Sequence, residues 1–168
     1  MTLDRMWAGW RTEYVAAAGN GELVGTGSVF RRILESGLPD EETYIVWRGE
    51  TVFSILNAYP YTSGHLLVMP YREVGELEGL DAAESAELWS ATQAAVAAVK
   101  AAYAPQGVNV GMNLGAAAGA GVPSHLHVHV LPRWSADSNF MTAVAETRVL
   151  PEALPVSWRK LRDAWPAG

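Results

Sequence analysis

Residues 124–134 read Ser124-His125-Leu126-His127-Val128-His129-Val130-Leu131-Pro132-Arg133-Trp134 and hold three of the chain's four histidines. Alternate residues of a strand point to opposite faces. An extended reading of 125–131 puts His125, His127 and His129 on one face and Leu126, Val128 and Val130 on the other. The second face suits a core. The first does not, because imidazoles are costly to bury and pack poorly. Three uses fit such a row. The histidines face water or satisfy nearby carbonyls; or two of them chelate a metal, being two residues apart on a strand; or one is a nucleophile toward phosphorus.

The stretch just upstream reads Asn113-Leu-Gly115-Ala-Ala-Ala-Gly119-Ala-Gly121-Val-Pro-Ser124. Its glycines let the backbone come close to a ligand and aim amides at an anion. Asn113 offers both a donor and an acceptor. A glycine-rich loop alone is an ordinary turn; leading into three aligned histidines it favours an anion site.

The rest of the chain narrows the class. Its 168 residues suggest one domain over 1–168, with a core at about 43–141, an N-terminal segment 1–42 and a C-terminal helix at about 151–165. Hydrophobic residues make up 49% and charged ones 18%, which suits a globular chain. With no cysteine, disulfides and thiolate chemistry are excluded. A net charge of −6 argues against general nucleic-acid binding but not against a small phosphate ligand. The first residues lack a signal-peptide pattern and no apolar run reaches membrane-spanning length, so the expected compartment is the cytoplasm, with no membrane partner.

Local patterns give the elements. Residues 16–27 read as a glycine-rich loop and 28–37 as a short helix capped by Ser28, with Val29, Phe30, Ile33 and Leu34 on one side. Residues 43–48 and 51–56 read as strands about an Arg48-Gly49-Glu50 turn, and 65–69 as a buried strand ended by Pro70. Residues 82–103 form the longest helix, opened by Asp81 and Glu84 as a capping box. Its apolar stripe is Leu88, Ala95, Val96, Val99 and Tyr103, with Thr92 bonding back to the helix. Residues 107–113 and 125–131 are strands flanking the glycine-rich loop, and 151–165 a final helix with Pro155 near its start and Pro166 past its end.

The run His125-Leu-His-Val-His-Val-Leu131 resembles the signature of the histidine triad family of nucleotide hydrolases and transferases. Leu56-Asn-Ala-Tyr-Pro-Tyr-Thr-Ser-Gly-His-Leu-Leu-Val-Met-Pro70 is similar to a second segment of that family. Pro132-Arg-Trp-Ser-Ala-Asp-Ser-Asn-Phe-Met141 and Trp7-Ala-Gly-Trp-Arg-Thr-Glu-Tyr14 resemble a bacterial branch associated with diadenosine polyphosphates. The resemblance spans roughly residues 7–155.

It implies an α+β histidine-triad (HIT-like) fold: an antiparallel sheet of about five strands with the long helix on one face, in a homodimer with two nucleotide sites. It implies that His127 attacks the α-phosphorus and becomes nucleotidylated. A main-chain carbonyl near His125 fixes the tautomer of His127, His129 contacts phosphate oxygens, and buried His65 supports the triad. By the same resemblance Asn57 contacts the ribose, and Val29, Phe30, Ile33 and Ile55 sandwich the base, expected to be adenine. Asn113, Gly119, Ala120 and Gly121 line the phosphates. Arg133 suits phosphate or a pair with Asp137. No metal is expected at the nucleophile, although a polyphosphate substrate can arrive with Mg²⁺.

Two departures from the family stand out. Many members carry a hydroxyl residue that assists the leaving group where this chain has Ala120-Gly121, which leaves assistance to backbone amides or Ser124. Many also bind structural zinc where this chain has Ser28, Arg31 and Glu73; only His125 remains as a ligand, and one imidazole does not hold zinc. An Arg31–Glu73 salt bridge close to His125 is the expected substitute. Two other classes stay open at this stage: a metal-dependent enzyme using His125 and His127, and a nucleotide-binding regulator with slow turnover.

Overall fold

Strand residues alternate between two apolar environments, and that alternation builds the molecule in layers. The computed structural model describes residues 27–135, 137 and 152–167. The opening stretch 7–14, nearly all of the 16–27 loop, the 138–141 extension and Pro151 lie outside the described residues. Five strands, β1 (Ile45–Arg48), β2 (Val52–Leu56), β3 (Leu66–Pro70), β4 (Gly107–Met112) and β5 (Val128–Arg133), form one antiparallel sheet in the order β1-β2-β3-β5-β4. Two short helices, α1 (Val29–Glu35) and α2 (Asp40–Thr43), precede β1; α3 (Ala82–Tyr103) lies between β3 and β4, and α4 (Leu154–Ala164) follows β5.

On one face Val46, Val52, Leu56, Leu66, Val68, Val128 and Val130 pack against Leu88, Ala91, Ala95, Val99, Leu154 and Leu161 of α3 and α4. On the other, Ile45, Phe53, Ile55, Leu67 and Met69 meet Phe30 and Ile33 of α1. The sheet therefore lies between a long-helix layer and the short α1.

The capping box of α3 is complete: the Glu84 amide donates to Asp81 Oδ1 at 2.8 Å, and the Asp81 amide to Glu84 Oε2 at 3.0 Å. Thr92 is buried and donates to the Leu88 carbonyl at 2.7 Å, as its place in the stripe requires. Ala91 and Ala98 join the buried stripe, while Val96 and Tyr103 sit at its margin. Pro155 is in the first turn of α4 and Pro166 beyond its end.

Several boundaries differ from the sequence expectation. Residues 40–43 form the short α2, so β1 begins at Ile45. β3 starts at Leu66 and takes in Pro70, opposite Val52, as its last residue. The larger correction concerns β5, which begins at Val128, not at residue 125. Before it, the His125 amide turns back to the Val122 carbonyl at 3.2 Å and the Leu126 amide reaches the Val74 carbonyl at 2.7 Å. These bonds take His125 and Leu126 out of the ladder. The alternation nonetheless persists: Val128 and Val130 face α3, while Phe30 of α1 touches both His125 and His127.

Candidate active site

His127 and His129 open onto a cavity of about 340 Å³. Val29, Phe30 and Ile33 of α1 line it, opposite Ile55 of β2 and Leu67 of β3. Asn57 after β2, and Asn113, Gly119 and Gly121 of the glycine-rich loop, complete the polar part. Ten of the residues singled out from sequence thus meet in one hollow, from segments up to a hundred positions apart. His125 and His65 stand behind it, fully buried. Ala120 does not line it: its amide turns inward to the Gly115 carbonyl at 3.3 Å.

Hydrogen bonds fix which nitrogen of each imidazole carries the proton. His127 Nδ1 lies 2.8 Å from the His125 carbonyl oxygen. A carbonyl only accepts, so Nδ1 bears the proton and Nε2 keeps a free lone pair. His65 Nδ1 accepts the Tyr61 amide at 3.1 Å, so its Nε2–H donates to His129 Nδ1 at 2.9 Å. The proton of His129 is then on Nε2, which is buried and has no hydrogen-bond partner. The site so pairs a nucleophilic lone pair with a nearby unpartnered donor; the rings of His127 and His129 are 4.9 Å apart. His125 has Nε2–H on the Pro70 carbonyl at 2.8 Å and Nδ1 against the Ser28 hydroxyl at 2.7 Å. With both nitrogens engaged, it forms no chelating pair with His127.

Burial holds all four imidazoles neutral, because it penalises the charged form. Desolvation together with His129 and His127 pushes His65 down to about 3, and desolvation with His127 pushes His129 down to about 4. His125 and His127 also lie below the usual imidazole value, again mainly through desolvation. A neutral His127 is the nucleophilic form.

The glycine-rich loop spends three consecutive amides internally. Those of Ala118, Gly119 and Ala120 bond to carbonyls of Gly115 and Ala116. Among the described residues, the amides of Gly121 and Val122 have no protein acceptor. Both residues line the cavity. No charged side chain is among the described residues lining the cavity.

Asn57 combines two uses. Its Oδ1 accepts the Tyr59 amide at 2.9 Å in an Asx turn, and its Nδ2 is 3.3 Å from His65 Nδ1. Tyr59 and Tyr61 also line the cavity, and sequence reasoning misses them. Their signal is the Tyr-Pro-Tyr run between Asn57 and His65. The Tyr61 ring lies against His65 and His129 at centroid distances of 4.8 and 6.0 Å.

Three side chains turn away from the cavity. Arg133 pairs with both oxygens of Asp137 and with Asn109 Oδ1, so it is not aimed at phosphate. Ser124 donates to Glu73 Oε1 at 2.7 Å and does not line the cavity. The expected Arg31–Glu73 salt bridge does not form: Arg31 pairs one turn along with Glu35 at 2.8 Å. A neighbour four residues away on the same helix is the nearer partner. Ser28, Arg31, Glu73 and His125 do not fit a zinc ion either. His125 Nδ1 is taken by Ser28 and Arg31 brings a cation. Among the described residues no group of three or more His, Cys, Asp or Glu is arranged to hold a metal.

Comparison with known proteins agrees with this geometry. The HIT domain family model matches residues 39–136. The AP-4-A phosphorylase of Mycobacterium tuberculosis is 43% identical over 167 residues, covering 97% of this chain and 85% of that one. An asymmetrical bis(5'-nucleosyl)-tetraphosphatase of Schizosaccharomyces pombe is 31% identical over 93 residues, 55% of this chain and 50% of the other. A zinc-bound histidine triad family protein from Mycobacterium smegmatis superposes with a TM-score of 0.67 at 28% identity, over 82% of this chain and 92% of that structure. From the family match, the sheet and the triad together, this chain belongs to the HIT domain family.

Proposed function

We propose that this chain is an enzyme that cleaves dinucleoside polyphosphates, adenine-containing ones foremost, at the α-phosphorus by way of a nucleotidyl group on His127. The observation that carries the reading is the free Nε2 lone pair of His127 beside the unpartnered Nε2–H of His129. In the first step Nε2 bonds to the α-phosphorus and the bond to the leaving polyphosphate oxygen breaks. The positive charge that develops on the ring is shared through Nδ1–H with the His125 carbonyl. His129 Nε2–H and the amides of Gly121 and Val122 stabilise the charge on the phosphoryl oxygens. In the second step an acceptor oxygen bonds to phosphorus and the N–P electron pair returns to Nε2.

Inorganic phosphate as acceptor gives a nucleoside diphosphate; water gives the monophosphate. Similarity to a protein named AP-4-A phosphorylase along nearly its whole length favours phosphate. The apolar end of the cavity, from Val29 to Leu67, takes the base, and Asn57 the ribose. No step uses a metal-bound group of the protein; Mg²⁺ can accompany the polyphosphate. The exposed edge strand β4, with Val110 44% exposed, supports a homodimer joined there. No helix among the described residues is long and apolar enough to cross a membrane, and we assign the reaction to the cytoplasm.

The test is turnover of diadenosine tetraphosphate with and without phosphate, followed by rapid quenching and peptide mass analysis. A nucleotide mass on the His127 peptide, and its loss with all turnover in His127→Ala, is the expected result. Tight binding without turnover would favour a nucleotide-binding regulator, a reading that the missing hydroxyl at Gly121 keeps in play.

A further inference from the structure

Ser28 stands immediately before α1, and its hydroxyl lies 2.7 Å from Nδ1 of His125, 97 positions away in the chain. The Nε2–H of His125 is spent on the Pro70 carbonyl, so Nδ1 of the neutral ring accepts and Ser28 donates. The same oxygen accepts the Arg31 amide at 3.2 Å, capping α1. Glu73 closes the set. Its Oε2 accepts the Ser28 amide at 2.9 Å and its Oε1 the Ser124 hydroxyl at 2.7 Å. The packing here is close. A Cβ on Gly27 would lie 2.6 Å from Glu73 Oε2, and one on Gly75 would lie 2.6 Å from the Pro123 carbonyl oxygen.

This cluster joins two parts of the site with different tasks. α1 carries Val29, Phe30 and Ile33, the apolar wall of the cavity. His125 carries the carbonyl that holds the proton on Nδ1 of His127. Phe30 touches both rings, each at 5.5 Å between centroids. Ser28 therefore fixes the ring of the residue whose backbone fixes the nucleophile, and Glu73 fixes Ser28 to the segment entering the triad.

We propose that Ser28 and Glu73 are positioning residues for the transfer reaction, coupling the nucleoside-binding helix to the tautomer of His127. The proposal rests on the reading of His127 as nucleophile. A hydrogen-bonded partner behind a reacting or ligating histidine orients it and sets which nitrogen is protonated. Here the partner acts through a second histidine and one peptide carbonyl.

The experiment uses the full chain with Ser28→Ala, Ser28→Thr and Glu73→Gln. Long-range ¹⁵N–¹H spectra report the tautomers directly, because the chain has only four histidines. The native protein should show His127 protonated on Nδ1 and the other three on Nε2. Ser28→Ala should give mixed tautomers at His125 and His127, and kcat lower by about tenfold or more. KM should move by less than about threefold, since the lost contact acts on the chemical step. Ser28→Thr should recover most of the rate, and Glu73→Gln, which keeps one acceptor oxygen, should fall between. If Ser28→Ala does not fold, Glu73→Gln at its partly exposed position carries the same readouts. Native tautomers and native kcat in Ser28→Ala would overturn the proposal. So would a rate loss that vanishes once the variant is cooled below its unfolding transition. Turnover surviving in His127→Ala would sink the nucleophile reading instead, and the spectra would still decide whether Ser28 holds the two rings.

Discussion

The Nε2–H of His65 donates to Nδ1 of His129 across 2.9 Å, with both rings buried. This bond leaves Nε2 of His129 as an unpartnered donor. Without it His129 could protonate either nitrogen, and the lone pair of Nε2 could face the phosphate. His65→Ala should therefore lower kcat. It should also destabilise the fold by about 2–4 kcal/mol, from the space left and from the Tyr61 amide and His129 Nδ1 losing their partner. Urea unfolding checks the second effect and steady-state kinetics the first. A variant as stable as the parent would show that water replaces the ring without cost.

Acid should loosen the molecule in a defined window. In the unfolded chain the histidines protonate near 6.5. In the folded one His129 does so only near 4 and His65 near 3. Between those values the unfolded state binds more protons, so stability falls as pH falls below about 6.5. The slope is about 1.4 kcal/mol per pH unit for each such histidine, levelling off once the folded forms protonate. His125 and His127, also held low, add to it. Urea titrations from about pH 7.5 down to about pH 4.5 would reveal the slope. A flat profile would show that the four rings protonate in the folded state. For the same reason the acid limb of kcat/KM should lie below 6.5, because His127 stays neutral there.

The parts of the site that are legible in the sequence are those set by local periodicity. The two-residue spacing places the triad on one face and Val128 and Val130 on the other. Gly119, Gly121 and Asn113 are visible because a glycine-rich loop runs straight into the triad. What is not legible depends on contacts between distant segments. Nothing near Ser28 announces His125, and nothing in the triad shows that the ladder starts only at Val128. That start is decided by the Val74 carbonyl claiming the Leu126 amide. Charge partners follow the shortest separation. The sequence points Arg31 across the fold to Glu73, but Glu35 lies one helical turn away. Of the two partners the sequence offers Arg133, phosphate or Asp137, the structure shows Asp137, four residues on.

Gly64 is the position where a single methyl should matter most for the scaffold of His65. Its φ is +79°, a conformation side chains avoid, and a Cβ there would lie 2.5 Å from Cε2 of Tyr103. Tyr103 is not free to swing, since its hydroxyl donates to Glu152 Oε1 at 2.6 Å. Gly64→Ala should therefore cost about 2–4 kcal/mol, combining left-handed strain with overpacking. Thermal unfolding measures it. A loss below about 1 kcal/mol would mean that the Tyr103 ring yields more readily than its anchor suggests.

Gly121 offers the opposite case, a glycine with room to spare. It lines the cavity, its φ lies outside the left-handed region, and a Cβ built on it meets nothing within 4 Å. Gly121→Ser should fold with stability within about 0.5 kcal/mol of the parent. The resemblance to the histidine triad family implies that a hydroxyl in this region assists the leaving group. On the proposed reading the backbone amides of Gly121 and Val122 are the donors available near the phosphates in its place. The substitution keeps both amides and adds a hydroxyl donor. Substrates with poor leaving groups should gain most, because they depend most on a proton donated to the departing oxygen. The added side chain also occupies open space, which on the proposed reading lies beside the phosphates, so the acceptor should be affected as well. If inorganic phosphate enters through that space, the ratio of diphosphate to monophosphate product should fall in Gly121→Ser. Product analysis by ion-exchange chromatography at fixed phosphate separates the two effects. Unchanged rates and an unchanged product ratio would show that neither leaving group nor acceptor passes over this residue.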